Sequence, residues 1–142
     1  MLWATCNVGA TKPEEYGGYY AWGETEEKED YSWETYKWCD GSQTTLTKYC
    51  TRSSWGTIDN KTVLDLEDDV AHVKWGDNWR MPTNAELNEL INNCTCTWTT
   101  LNGVSGHTVT GTNGNSIFLP EAGYRVGTEL YSRGSEGMYW SS

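Results

Sequence analysis

A chain of 142 residues with twenty acidic against ten basic side chains carries a formal charge of −10. Such a balance repels a phosphate backbone and sets nucleic acid aside as a partner. No apolar run approaches the ~20 residues that a membrane-spanning helix needs, and no signal peptide is read ahead of Trp3-Ala4-Thr5-Cys6, which already reads as folded domain.

The length is that of one ordinary domain. With nine Trp, nine Tyr and a single Phe, its core is expected to rest on large rings whose N–H and O–H groups find partners in a polar, loop-rich shell. In chain order, Leu2-Trp3-Ala4 predicts a short strand and Asn7-Val8-Gly9-Ala10 a turn. Residues 11–16 suit a single helical turn, and Gly17 to Gly23 reads as an aromatic strand between glycine turns. The acids from Glu24 to Asp30 form a solvated loop. From Tyr31 to Trp55 no period holds, yet Tyr31, Trp33, Tyr36, Trp38, Tyr49 and Trp55 recur. This predicts a long ordered excursion pinned by rings.

A first helix is expected near 67–75, started by Asp68 or a neighbour, with Leu66, Val70 and Val73 as its stripe and Gly76 as its stop. A second is expected at 84–93. Thr83 and Glu86 form a capping box there, and Leu87, Leu90, Ile91 and Cys94 keep helical spacing. Trp79 and Met81, separated by Arg80, lead into it as an extended segment. Strands follow at 97–101 and 107–110 around Asn102-Gly103. A third at 116–120 is joined to the second through Gly111-Thr112-Asn113-Gly114-Asn115, the clearest hairpin in the sequence. Short extended pieces at 122–125 and 138–141 flank a Gly-rich loop at 127–137. The order of elements is that of an α+β domain.

Candidate chemistry is sparse. Cys6, Cys39, Cys50, Cys94 and Cys96 are odd in number, so one at least is unpaired within a monomer. Cys39 and Cys50 bracket a polar loop that a disulfide would close in an oxidising compartment. Neither this pair nor Cys94-Thr95-Cys96 has zinc-knuckle or redox spacing. His72 and His107 lack a nucleophile at any recognisable spacing and read as structural. Asp65, Glu67, Asp68 and Asp69 lie close enough for some of them to share a calcium ion, but without the EF-hand spacing. Acids placed at a helix start by the dipole account for them as well.

Several segments together resemble one family: Trp3-Ala4-Thr5-Cys6-Asn7-Val8-Gly9-Ala10, Tyr20-Ala21-Trp22-Gly23-Glu24, Trp79-Arg80-Met81-Pro82-Thr83, Phe118-Leu119-Pro120-Glu121-Ala122-Gly123-Tyr124-Arg125 and Tyr139-Trp140-Ser141-Ser142. They are similar to the extracellular paralogous domains abundant in gut Bacteroidetes, the Fibrobacter major paralogous domain and its relatives. The resemblance implies a C-type lectin-like fold, α+β with two short helices, a twisted antiparallel sheet and long ordered loops. Formylglycine-generating enzymes and the variable proteins of diversity-generating retroelements also use that fold.

The enzyme branch's paired reactive cysteines find no counterpart at Cys94-Thr95-Cys96 or at Cys39 and Cys50. The Glu-Pro-Asn, Gln-Pro-Asp and Trp-Asn-Asp motifs of calcium-dependent lectins are missing too; Trp75-Gly76-Asp77-Asn78-Trp79 has similar letters in another order. Family members carry one further strand before Leu2-Trp3 and another after Trp140-Ser141-Ser142. Residues 2–4 and 138–140 are therefore expected to expose edges that pair with each other or with a second chain.

With no convergent set of catalytic groups assembled, a non-enzymatic, extracellular or cell-surface binding or display module is expected, with no cofactor or metal and an unidentified protein or glycan partner; a structural spacer, and after it a catalyst like the formylglycine-generating enzymes, are the alternatives. In the display branch, contacts concentrate on a loop surface near the C-terminus. The matching positions are Tyr131, Ser132, Arg133, Ser135, Glu136 and Tyr139, with Tyr31, Trp33, Tyr36 and Trp38 as a possible aromatic supplement. Trp3, Trp22, Trp79, Leu87, Leu90, Ile91, Phe118, Leu119, Tyr124 and Trp140 are expected to be largely buried.

Overall fold

Thr83 sits in extended backbone and accepts from the Glu86 N–H at 3.3 Å, while the Glu86 carboxylate accepts from the Thr83 N–H at 2.8 Å. This reciprocal cap starts helix α2, Asn84–Asn93. A computed structural model describes residues Met1–Ser142 and contains, besides α2, a helix α1 (Val70–Trp75) and five strands: β1 (Thr95–Leu101), β2 (Val104–Thr110), β3 (Ser116–Pro120), β4 (Tyr124–Val126) and β5 (Glu129–Tyr131). The protein is a small α+β fold with antiparallel sheets. Its segments gather into two compact units, one of residues 1–19, 82–124 and 130–141, the other of residues 20–81, 125–129 and 142.

In the first unit, β1, β2 and β3 form one antiparallel sheet in that order. Asn102 and Gly103 both take positive φ, 48° and 82°, the primed turn that matches the twist of the strands it joins. Gly106 lies buried in the central strand because the Phe118 ring covers it: a Cβ there would come within 2.5 Å of that ring. Val109, Phe118 and Ala122 form the buried apolar centre of the unit.

The helix phase differs from the periodicity in one respect. Glu86, Leu87, Leu90 and Cys94 are half-buried, whereas Ile91 is 58% exposed. The packed face takes in Glu86 and centres near Leu90, leaving Ile91 at its margin. Of the remaining expected core residues, Phe118 is buried. Trp3, Trp22, Trp79, Leu119 and Tyr124 are half-buried, and Trp140 is 57% exposed. Residues 2–4, 17–23 and 138–140 form no regular strand, so no sheet covers Trp140 and no pair of terminal edges exists.

The second unit answers the aromatic composition. Leu46 binds three stretches of the long excursion together: its N–H donates to the Trp55 carbonyl at 2.8 Å, its carbonyl accepts from the Thr57 N–H at 2.9 Å, and it bridges Cys39. Tyr49 meets Trp22 and Trp38 edge to face, at centroid distances of 4.9 and 5.9 Å. The polar tips are satisfied. Trp38 Nε1 donates to the Gly23 carbonyl at 2.8 Å and the Tyr36 hydroxyl to the Trp22 carbonyl at 2.9 Å, as a ring-rich shell requires.

The expected helix at 67–75 is broken at Asp69. A 3₁₀ turn covers Leu66–Asp68, and α1 begins only after Asp69, whose φ of −88° and ψ of 111° are extended. The break follows from the carboxylate. One Asp69 oxygen caps α1 by accepting from the His72 N–H at 3.1 Å, and the other accepts from the buried Met81 N–H at 2.8 Å. Leu66 and Val73 are therefore exposed, and Val70 with Ala71 forms the packed side. Gly76, at φ 91°, ends the helix by donating to the His72 carbonyl.

Candidate functional site

The segment from Val126 to Met138 is more ordered than its glycines suggest. Strands β4 and β5 pair into a short hairpin, and residues 132–137 form a turn bound to the chain at 121–123. The Gly134 N–H donates to the Glu121 carbonyl at 2.7 Å, and the Gly123 N–H donates to the Glu136 carbonyl at 2.7 Å. Inside the turn, the Ser132 carbonyl accepts from the N–H groups of Ser135 and Glu136, each at 3.0 Å, and from Ser135 Oγ at 3.0 Å. Ser132 takes a φ of 56° and Gly134 one of 89°. The close approach depends on Gly123 at φ 71°, since a Cβ there would fall on the Tyr131 carbonyl oxygen.

This frame brings Tyr131, Ser132, Arg133, Ser135 and Glu136 onto one turn. Tyr131 is 46% exposed and stacks on Tyr124 with centroids 5.8 Å apart. Arg133 is exposed, its guanidinium 5.5 Å from the Tyr16 ring centroid, and Ser135 and Glu136 are exposed as well. Tyr139 plays a different part. Its hydroxyl donates to the Pro120 carbonyl at 2.7 Å and accepts from Asn7 Nδ2 at 3.3 Å. Although its ring keeps an exposed edge, enclosure of that hydroxyl pushes its pKa up to about 12 against the opposing Asn7 bond. Tyr139 ties the chain that follows the turn to Pro120 and Asn7. Tyr36 and Trp38 are similarly committed within the second unit, and Trp33 is exposed there.

The second unit holds a polar cluster of its own. Asp65, Glu67 and Asp68 bring carboxylate oxygens within 4.8 Å of one another. Asp69, grouped with them by spacing, faces away toward His72 and Met81. Lys48 Nζ lies among the three acids, 2.7 Å from Asp68, 2.8 Å from Asp65 and 3.8 Å from Glu67. The Tyr49 hydroxyl donates to Asp68 at 2.6 Å. Hydrogen bonds to Asp65 and Asp68 raise the Lys48 pKa, and those from Lys48 and then Lys61 lower that of Asp65. Burial, then the bond to Asp68, pushes Tyr49 up to about 12. An ammonium bonded to two carboxylates supplies the positive charge this arrangement calls for and ties the excursion to the start of α1. Lys48 and Tyr49 lie in a stretch without periodicity, so no spacing linked them to residues 65–68.

Neither histidine has a nucleophile bonded to it. His107 Nδ1 lies 3.0 Å from Oε1 of the buried Glu121, and its ring meets the exposed Trp98 edge to face at 5.3 Å. His72 Nδ1 lies 3.2 Å from the Trp79 carbonyl oxygen. All five cysteines are free thiols. Cys39 Sγ is directed at the Trp33 carbonyl and Cys50 Sγ at that of Arg52, so the bracketed loop is closed by backbone bonds instead. No helix is long and apolar enough to cross a membrane. Comparison with protein-family models, with curated proteins and with solved structures returns no match.

Proposed function

We propose that the chain is a non-enzymatic ligand-binding or display module of a secreted or cell-surface protein, with a C-type lectin-like architecture, and that the turn at 131–136 presents its contact surface to a protein or glycan. The observation that carries this reading is the contrast between backbone and side chains in that turn. Its main chain is bonded on both flanks to residues 121–123, while Tyr131, Arg133, Ser135 and Glu136 stay exposed to solvent. A held frame lowers the ordering cost of binding. A ring with two rotatable angles, a guanidinium and small hydroxyls are the groups that adaptable recognition surfaces use.

The test is a screen of the native chain and of the double variant Tyr131→Ala/Arg133→Ala against glycan and protein arrays, with near-UV circular dichroism as the folding control. The expected result is a ligand whose affinity falls by about 30-fold, or ~2 kcal/mol, in the folded double variant. Unchanged affinity would exclude this surface, silence on both arrays would favour a spacer, and turnover of a sulfatase-type cysteine peptide would restore the enzyme reading.

A further inference from the structure

Between Glu89 and Glu121 the chain carries no Asp, Glu, Lys or Arg. The whole β1–β2–β3 sheet is thus uncharged in a protein whose formal charge is −10. Strand β1 is an edge of that sheet. Its sequence, Thr95-Cys96-Thr97-Trp98-Thr99-Thr100-Leu101, pairs with β2 without a bulge or a proline. Residues 95–98 and Thr100 are exposed. Natural sheets guard an edge with lysine, proline, a bulge or a covering element, and β1 has none of the first three and lies open to solvent along most of its length.

The register tells which groups are free. The Asn102-Gly103 turn closes on the pair Leu101↔Val104, and a two-residue hairpin makes that closing pair doubly hydrogen-bonded. Alternation then directs the N–H and C=O of Thr95, Thr97, Thr99 and Leu101 toward β2, and those of Cys96, Trp98 and Thr100 outward. The Trp98↔His107 contact fits this phase, since side chains approach most closely at pairs that exchange no bonds. No backbone group from outside the sheet bonds the outward set.

We propose that β1 is a self-association edge, pairing antiparallel with β1 of a second copy about a two-fold axis at Trp98. Only outward-facing residues can exchange bonds, and the axis that engages all of them sets Trp98 opposite Trp98 and Cys96 opposite Thr100 on each side. Roughly six inter-chain bonds join two sheets into one in that register, and the two indoles meet on one face. An isologous contact of this kind is closed and stops at a dimer. A second copy is the favoured occupant because it brings the same outward set in the same phase, so that every bond is reciprocated about the axis, and the uncharged sheet is where two chains this acidic meet with least repulsion.

Sedimentation velocity of the native chain from about 10 µM to about 1 mM should show the mean mass rising toward that of a dimer. Trp98→Lys sets two like charges face to face and should remain monomeric throughout, with the β1–β2 hairpin intact by amide NMR. The register is read separately: Thr100→Cys, oxidised in air, should form inter-chain disulfides with Cys96, and Thr100→Cys in a Cys96→Ser background should form none. A native chain that stays monomeric at the highest concentration overturns the proposal and leaves the edge to another partner. A dimer that survives Trp98→Lys, or a cross-link that forms without Cys96, overturns it as well.

Discussion

Replacing Asp69 by alanine tests how one buried carboxylate splices α1 to the segment entering α2. Asp69 is 2% exposed, and each of its oxygens accepts one backbone N–H: that of His72 at the start of α1, and that of Met81 in the interior. Loss of the cap costs about 1 kcal/mol. Leaving the Met81 N–H without an acceptor in a buried position costs about 1–3 kcal/mol more. The expected total is roughly 2–4 kcal/mol, or a fall of about 6–12 °C in the thermal midpoint for a chain of this size. Asp69→Asn keeps one acceptor oxygen and turns an amide donor toward the other N–H, so it should lie between native and alanine. Urea unfolding followed by tryptophan fluorescence measures all three. The reasoning is refuted if Asp69→Ala costs less than about 1 kcal/mol, or if Asp69→Asn equals the native chain, since two simultaneous acceptors would then be unnecessary.

Thr83→Ala removes the hydroxyl half of the capping box and should cost about 1 kcal/mol in the same assay, with Thr83→Ser restoring most of it; an unchanged midpoint would mean that α2 is held by packing alone. At alkaline pH, Tyr49 and Tyr139 keep their protons to about 12 in the folded chain, against about 10 when unfolded. The folded state then binds more protons, so their contribution is complete below about pH 10 and is lost as the pH rises through about 12. Absorbance at 295 nm should show a late class of tyrosines ionising together with unfolding, and a Tyr49→Phe curve identical to the native one would contradict this.

The sequence alone determined the elements whose signal is local. The Thr83/Glu86 box placed α2 at 84–93 because both bonds close within one turn of chain, and Asn102-Gly103 and the loop at 111–115 placed the β1–β2–β3 hairpins because their backbone demands are met by a few adjacent residues. The ring-rich shell was legible from composition, because buried hydroxyls and indoles must find acceptors somewhere. Tertiary structure decided what depends on partners distant in sequence. Asp69 breaks its helix for an amide twelve positions away, Lys48 comes to Asp65 and Asp68 from a stretch without periodicity, and the turn at 132–137 is fixed by Glu121 and Gly123. Ile91 faces solvent for the same reason: periodicity gives the width of an apolar stripe, but the packed face is set by what the helix meets.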